Sequence, residues 1–586
     1  MRLRYRRLAL ISALGLAWTL PIGLRAEPDA GATGPASIPA TAATATADDV
    51  ASASTAASPA APAAHAAPAT GAVWSPPLPA PSGPAMPTSA MPGSASSDSA
   101  IPDSASRVAA TRVAVAPSQA PAHRQPAFTP TRWPAEVALP AELAQVLRAS
   151  GVTPEHVGMM AIEVSEGQAL AAWNAQQGFN PASTMKLLTT YAALSTLGPD
   201  YRWRTRAYLG GRLQGDVLHG DLILKGGGDP KLVIEDLTAF VAQMRAAGLR
   251  EIRGDLLLDD SIYLPDGRRA EAIDGDPSQP YNVQPYGLLM NFKATRLTLQ
   301  PRGKRVSLMM DPPLADIEID NAIKLAPGKC RYGVGGLQIR DGGSDARPAI
   351  LVSGPFSPAC GEQGTFAAVL THRQFIHSLF KAAWTAAGGI WQGQTRVMPG
   401  AARGKPWQEW VSPRTLADVV QDVNKFSNNV MARQLLLQIA AERHGAPATL
   451  DQARQVLDGW LASRGLRFPE LVVENGSGLS RIERISPQHL AELLRDVAIS
   501  DIGDIMRGSM PRVGVDGTMR HRLVGQPIAG NAWVKTGTLN DVRAVAGFVD
   551  AAGGKRYAVA MMVNGPRAEA SLRALDAFLS WVYENG

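Results

Sequence analysis

The sequence predicts an α/β fold, a sandwich of helices on a sheet (α+β), whose core is interrupted by a long insertion. Apolar stretches with strand character stand at both ends of the folded part, at 157–164 and 169–173 early and at 532–535, 542–549 and 556–564 late. Helical periodicity follows residue 183 and returns at 415–443 and 450–464. Between them, residues 206–410 read as an insertion forming two smaller, β-rich domains, with 293–352 alternating apolar and polar with frequent Gly and Pro.

Taken in order, the chain opens with Arg2, Arg4, Arg6 and Arg7 before an apolar run from Leu8 to Leu24. This is the layout of a secretory signal over residues 1–26, with Ala26 as the last residue removed, and it implies the periplasm. A retained membrane anchor is the competing reading, but the run is short for a span, and Pro21 and Gly23 interrupt its end. Residues 1–26 hold five Arg and no acid, so export lowers the net charge from +6 to +1 (6 − 5). No basic stripe is left to argue for nucleic acid. Residues 27–130 are Ala, Pro, Ser and Thr with scarcely a large apolar side chain. Such a stretch buries too little surface to offset its ordering entropy, so a disordered, extended linker is expected. A passive spacer is the simplest role for it, and wall-spanning or partner binding the alternative.

Folded sequence begins near Trp133, with a short helix at 139–149. After the first two strands, Asn180-Pro181-Ala182 stops the chain, and Met185, Leu187, Leu188, Tyr191, Ala192 and Leu194 then keep helical spacing as far as Gly198-Pro199. In the insertion, strands at 220–225 and 252–258 flank a helix at 232–247, a βαβ-like piece covering about 212–285. The remainder, about 286–410, is β-rich, ends in a helix at 372–387, and returns to the core near Trp410. A last helix spans 568–582. The core is thus 131–205 plus 411–586. Gly226-Gly227-Gly228-Asp229-Pro230 is not a phosphate loop, since no Lys-Ser/Thr pair follows and G-x-G-x-x-G is unmet. The only cysteines, Cys330 and Cys360, form one disulfide in an oxidising compartment or remain two buried thiols. Neither C-x-x-C spacing nor a zinc pattern occurs, and no metal or cofactor is called for.

The chemistry sits in three short motifs: Ser183-Thr184-Met185-Lys186, Ser427-Asn428-Asn429 and Lys535-Thr536-Gly537. A serine hydroxyl attacks only when a base takes its proton. Three residues along a helix put Lys186 on the face of Ser183, and burial with a neighbouring ammonium lowers a lysine pKa, so Lys186 is the candidate base. Without the other motifs, Ser183 would read equally well as a helix cap. Lys535 supplies the second charge and, with Thr536, is placed to hold a substrate carboxylate. Gly537 lets the strand edge lie against a bound peptide. Ser427 is the candidate proton relay to the leaving amine, Asn429 the partner of the substrate amide, and the backbone N–H groups of Ser183 and Thr538 the oxyanion hole. A second S-x-x-K, Ser378 to Lys381, lies mid-helix among Phe375, Ile376, Leu379 and Phe380 and reads as structural. A Ser-His-Asp triad is disfavoured, because no G-x-S-x-G elbow occurs.

With these residues in hand, the chain resembles the D-alanyl-D-alanine carboxypeptidase/endopeptidase family, the class C low-molecular-mass penicillin-binding proteins. The similarity runs from about Pro140 to the C-terminus. Besides the three motifs it rests on Gly226 to Pro230, Leu258-Asp259-Asp260-Ser261, Asn475-Gly476-Ser477-Gly478-Leu479-Ser480-Arg481 and Val515-Asp516-Gly517-Thr518. The separation of 244 residues between Ser183 and Ser427 matches members that carry two extra domains there. The resemblance implies a penicillin-binding transpeptidase-like fold with a five-stranded sheet, cleavage of peptidoglycan stem peptides, and covalent inhibition by β-lactam antibiotics. The linker of about 100 residues departs from the family pattern. A serine β-lactamase is the first rival, but its deacylating E-x-x-L-N motif is absent. A catalytically weak peptidoglycan-binding protein is the second, disfavoured because every catalytic side chain is present.

Overall fold

The computed structural model describes residues 139–264 and 278–586, with Ile273, Gly275 and Asp276 between them. The expected signal and linker, 1–26 and 27–130, lie outside the described residues. Five antiparallel strands form the central sheet in the order Ala532–Leu539, Val542–Asp550, Arg556–Asn564, Val157–Glu163 and Ala169–Trp173. The early and late strands pair directly, with Val157 opposite Val563 and Glu163 opposite Tyr557. All seven residues of Val157–Glu163 are buried, which explains their nearly unbroken apolar character. Alternate residues feed different layers. Met160, Ile162, Ala560 and Met562 face the helices Lys186–Leu197, Asn429–His444 and Pro487–Ala498, whereas Met159, Ala161, Val559 and Met561 pack on Ala141–Ser150 and Leu572–Asn585. The α/β sandwich inferred from the sequence is therefore three layers, helix–sheet–helix.

The intervening chain builds a second centre. Strands Arg204–Gln214, Val217–Lys225, Glu251–Ile252 and Leu256–Asp259 join Ile390–Trp391, Thr395–Val397 and Gln408–Val411 in one seven-stranded sheet. Arg204–Gln214 and Gln408–Val411 are antiparallel neighbours, with Val411 opposite Arg204, so the chain leaves and re-enters side by side. This pairing cuts across the expected division between 212–285 and 286–410. The helix His372–Ala386 and the helix Ile234–Ala246 share one apolar core with that sheet. Two three-stranded sheets, built from strands between Thr295 and Ala367, supply the β-rich remainder. Cys330 and Cys360 are joined there by a disulfide with Cα atoms 4.7 Å apart.

One expected helix is two. The pattern at 415–443 divides into Leu416–Phe426 and Asn429–His444, because Ser427 takes a left-handed conformation (φ 59°) and Asn428 caps the second helix by accepting from Met431 N–H at 3.0 Å. A left-handed non-glycine residue costs ~1–3 kcal/mol, a strain that collects at functional positions. The helices Pro487–Ala498 and Gly503–Ser509 and the strand Arg204–Gln214 had no counterpart in the sequence reading.

Candidate active site

Three segments from distant parts of the chain meet at the free edge of the central sheet. The first is the Ala182–Met185 turn, which runs into the buried helix Lys186–Leu197. Asn180 fixes its approach: its Oδ1 accepts from Ala182 N–H (2.9 Å), its Nδ2 donates to the Ser480 carbonyl (2.8 Å), and Asn564 Nδ2 donates to the Asn180 carbonyl (3.0 Å). Two glycines press on the turn. A Cβ on Gly478 would lie 1.8 Å from the Ala182 carbonyl oxygen, and one on Gly537 would lie 2.6 Å from that of Pro181. Gly537 therefore has a structural duty not foreseen from sequence, which is to let the Lys535 strand approach the serine turn.

Ser183 is half-buried, while Lys186 behind it is inaccessible. Lys186 Nζ stands 3.0 Å from Ser183 Oγ, 2.6 Å from Asn429 Oδ1, and in hydrogen-bond contact with the Ser477 carbonyl. Burial is the main force driving the Lys186 pKa well below the ordinary lysine value, and the like charge of Lys535 adds to it. A neutral amine has two N–H groups and one lone pair. Asn429 and Ser477 offer two acceptors, which leaves the lone pair for the Ser183 hydroxyl proton. That is the arrangement of a base and its nucleophile.

The second segment is the strained break at Ser427, and the third is the edge strand Ala532–Leu539. Lys535 Nζ donates to Ser427 Oγ (2.9 Å) and to the Thr536 carbonyl (2.8 Å). It is fully buried, and burial lowers its pKa to about 7. Thr536 Oγ1 lies 3.0 Å from Thr518 Oγ1, which ties in the Val515 to Thr518 segment, and Asp516 there pairs with Lys425 at 2.6 Å. Thr538 is exposed on the edge. Ser183, Lys186, Ser427, Asn429, Lys535, Thr536, Gly537 and Thr538 thus gather at one place. Asn429 departs from its expected duty in one respect. Its Oδ1 serves Lys186, and its Nδ2 reaches toward the Tyr281 carbonyl at 3.4 Å.

Ser378 does not belong to this site. It lies mid-helix and fully buried, and its Oγ has no hydrogen-bond partner among the described residues, so it does not bond back to the preceding turn. Lys381 turns instead to Asp316 at 2.5 Å. Sequence reasoning assigned no role to the Ser477 carbonyl or to Glu483 behind it. The run Asn475 to Arg481 marked their neighbourhood, but a backbone acceptor leaves no side-chain signature.

Known proteins are similar to the chain over most of its described length. The model of the D-Ala-D-Ala carboxypeptidase 3 (S13) family matches residues 139–584. A D-alanyl-D-alanine carboxypeptidase DacB of Haemophilus influenzae is 26% identical over 420 residues, which cover 70% of this chain and 85% of that protein. A D-alanyl-D-alanine carboxypeptidase of an Actinomadura species is 28% identical over 452 residues, 72% of this chain and 80% of the relative. Among solved structures, penicillin binding protein 4 of H. influenzae superposes with a TM-score of 0.65 at 23% identity, covering 75% of this chain and 99% of that one. A second structure of that protein holds a β-lactam.

Proposed function

The chain belongs to the D-Ala-D-Ala carboxypeptidase 3 (S13) family of serine peptidases, and from that premise we propose a periplasmic enzyme that cleaves D-Ala–D-X bonds in peptidoglycan stem peptides. Residues 139–205 and 411–586 form its catalytic domain, and the described residues of 206–410 an accessory region. The position of Lys186 Nζ, within hydrogen-bond distance of Asn429 Oδ1, the Ser477 carbonyl and Ser183 Oγ at once, is the observation that carries this reading.

Lys186 takes the Ser183 proton as Oγ attacks the carbonyl carbon of the penultimate D-Ala. The negative oxygen that forms is received by the backbone N–H groups of Ser183 and Thr538. The proton taken by Lys186 passes through the hydroxyl of Ser427, itself bonded to Lys535, to the departing amine; the C–N bond breaks, and an ester on Ser183 remains for water to hydrolyse. Lys535 and Thr536 hold the terminal carboxylate of the substrate. A β-lactam enters by the same attack, but its amine stays tethered after ring opening, which supports covalent penicillin inhibition. The β-lactam held by the H. influenzae structure is in keeping with this.

A carboxypeptidase removes a terminal D-Ala, whereas an endopeptidase cuts the cross-link between two stem peptides. Both present the same bond to Ser183, and both substrates carry a carboxylate on the leaving side, so the enzyme performs both reactions, with terminal D-Ala release the more readily detected. Incubating the purified protein with defined monomeric and cross-linked muropeptides tests this. Consumption of the cross-linked dimer alone would remove the carboxypeptidase half, and consumption of neither, with no penicillin adduct on Ser183, would overturn the whole reading.

A further inference from the structure

Behind Lys186 lies a buried acid that the reaction outlined above does not use. Glu483 is fully inaccessible, and its Oε1 accepts three backbone N–H groups in succession, from Glu474 (3.2 Å), Asn475 (2.9 Å) and Gly476 (2.8 Å). Its Oε2 has no hydrogen-bond partner among the described residues. The turn it gathers is the one that presents the Ser477 carbonyl to Lys186 Nζ. The same turn is tied to the Lys186 helix a second time, where Thr189 Oγ1 donates to the Gly476 carbonyl at 2.7 Å. Lys186 and Thr189 are three apart and share a helix face, so one turn of helix meets one carboxylate-held loop.

We propose that Glu483 is a positioning residue for Lys186: it clamps the turn that orients the Lys186 amine and supplies the negative charge against which that amine sheds its proton. The proposal rests on Lys186 being the base.

The orientation argument is geometric. If the Ser477 carbonyl drifts, one N–H of a neutral Lys186 loses its acceptor, and the amine can turn its lone pair away from Ser183. The charge argument follows from what faces the amine. Lys535 comes from the edge strand and Arg433 from the Asn429–His444 helix, both cations, while Glu483 is the acid that opposes them. Glu483 in turn faces Lys186 and Arg433, and Glu474 also faces Arg433. Two cations and one buried acid around it make the proton affinity of Lys186 sensitive to that acid. Burial raises the Glu483 pKa above the usual carboxylate range, and the three N–H donors and Lys186 offset only part of that rise, so loosening the clamp would favour the neutral acid further.

Two substitutions separate the roles. Glu483→Gln keeps an oxygen for the three N–H groups but removes the charge. Glu483→Asp keeps the charge but withdraws the oxygen by one methylene. The readout is the pH profile of the penicillin acylation rate of the full chain. Glu483→Gln is expected to move the acid limb to lower pH by about half a unit or more, because a lost opposite charge lowers a lysine pKa. Glu483→Asp is expected to lower the plateau by roughly tenfold or more with the limb in place, since small misplacements of a reacting group are costly. An unmoved or upward-shifted limb in Glu483→Gln, or a wild-type plateau in Glu483→Asp, overturns the proposal. Should neither variant fold, amide hydrogen exchange in the native enzyme decides. Glu474, Asn475 and Gly476 should be protected wherever the enzyme is active, and rapid exchange there refutes the clamp. Wild-type acylation on Ser183 that is lost in Lys186→Ala keeps the underlying mechanism standing even when these results fail. Absence of Ser183 labelling in the wild type sinks that mechanism and this proposal with it.

Discussion

Replacing Lys535 by Met probes an ammonium enclosed by protein, where stability and function pull in opposite directions. Burial lowers the Lys535 pKa from 10.5 to about 7, a gap of about 3.5 units (10.5 − 7). At 1.36 kcal/mol per unit this corresponds to a folding cost of ~5 kcal/mol when the side chain is charged in both states. The sign is that of a depressed lysine. Below pH 7 the full cost is present; between pH 7 and 10.5 the unfolded chain binds the proton more strongly, so stability rises with pH; above 10.5 the cost is gone. Met removes the titration, but it leaves Ser427 Oγ and the Thr536 carbonyl without their donor, which costs ~1–3 kcal/mol at every pH. The variant should therefore be more stable than wild type at pH 6, with an advantage that shrinks by ~2–3 kcal/mol on going to pH 9. Urea unfolding of both proteins at pH 6, 7.5 and 9 measures this directly. The same variant should be acylated by penicillin ~10–150-fold more slowly, the worth of a charge-assisted bond to its carboxylate. A stability difference that is constant or grows with pH would refute the burial argument, and unchanged acylation would refute the carboxylate role.

Ser183→Ala should abolish both penicillin labelling and D-Ala release while Ser378→Ala leaves them nearly intact; labelled Ser183→Ala protein in gel fluorography would contradict the assignment. Lys186→Ala should slow acylation by ~10²–10⁴-fold in stopped-flow measurements, as expected for loss of a general base. Gly537→Ala, whose Cβ would lie 2.6 Å from the Pro181 carbonyl oxygen, must push the edge strand off the serine turn, and an acylation rate lowered by roughly 10²-fold is expected. Non-reducing digestion of exported protein followed by mass spectrometry should yield one linked peptide containing Cys330 and Cys360, whereas two alkylatable thiols would argue against the bridge.

What could be read from sequence follows physical lines. The central strands were legible because burial on both faces makes them nearly continuous apolar runs, as in Ala558, Val559, Ala560, Met561 and Met562. Ser183 and Lys186 were legible because their relation is local and helical. The break at Ser427 was not, since Val423 and Val430 keep the apolar rhythm across it, and only the cap at Asn428 betrays two helices. The short strands Ile390–Trp391 and Thr395–Val397 are too brief to show any period, so their return to the Val217–Lys225 sheet was invisible. The Ser477 carbonyl meets Lys186 across 291 residues, and Asn564 meets Asn180 across 384, contacts that no local pattern encodes.

The two lysines of the site show why motif and mechanism are separate levels of information. Both are fully buried, and burial lowers both, yet their partners give them different work. Lys186 has two firm acceptors and one hydroxyl that can donate to it, a set that a neutral amine satisfies completely. Among the described residues, Lys535 meets the Ser427 hydroxyl and the Thr536 carbonyl, with no acid beside it to balance a charge. On the function proposed, the missing counter-charge is the carboxylate of the substrate. Its arrival favours the ammonium form of Lys535, and the charge so fixed lowers the proton affinity of Lys186 further. Substrate binding would then sharpen the base at the moment it is needed, and Glu483 would keep that drop from going so far that the base becomes too weak to take the serine proton.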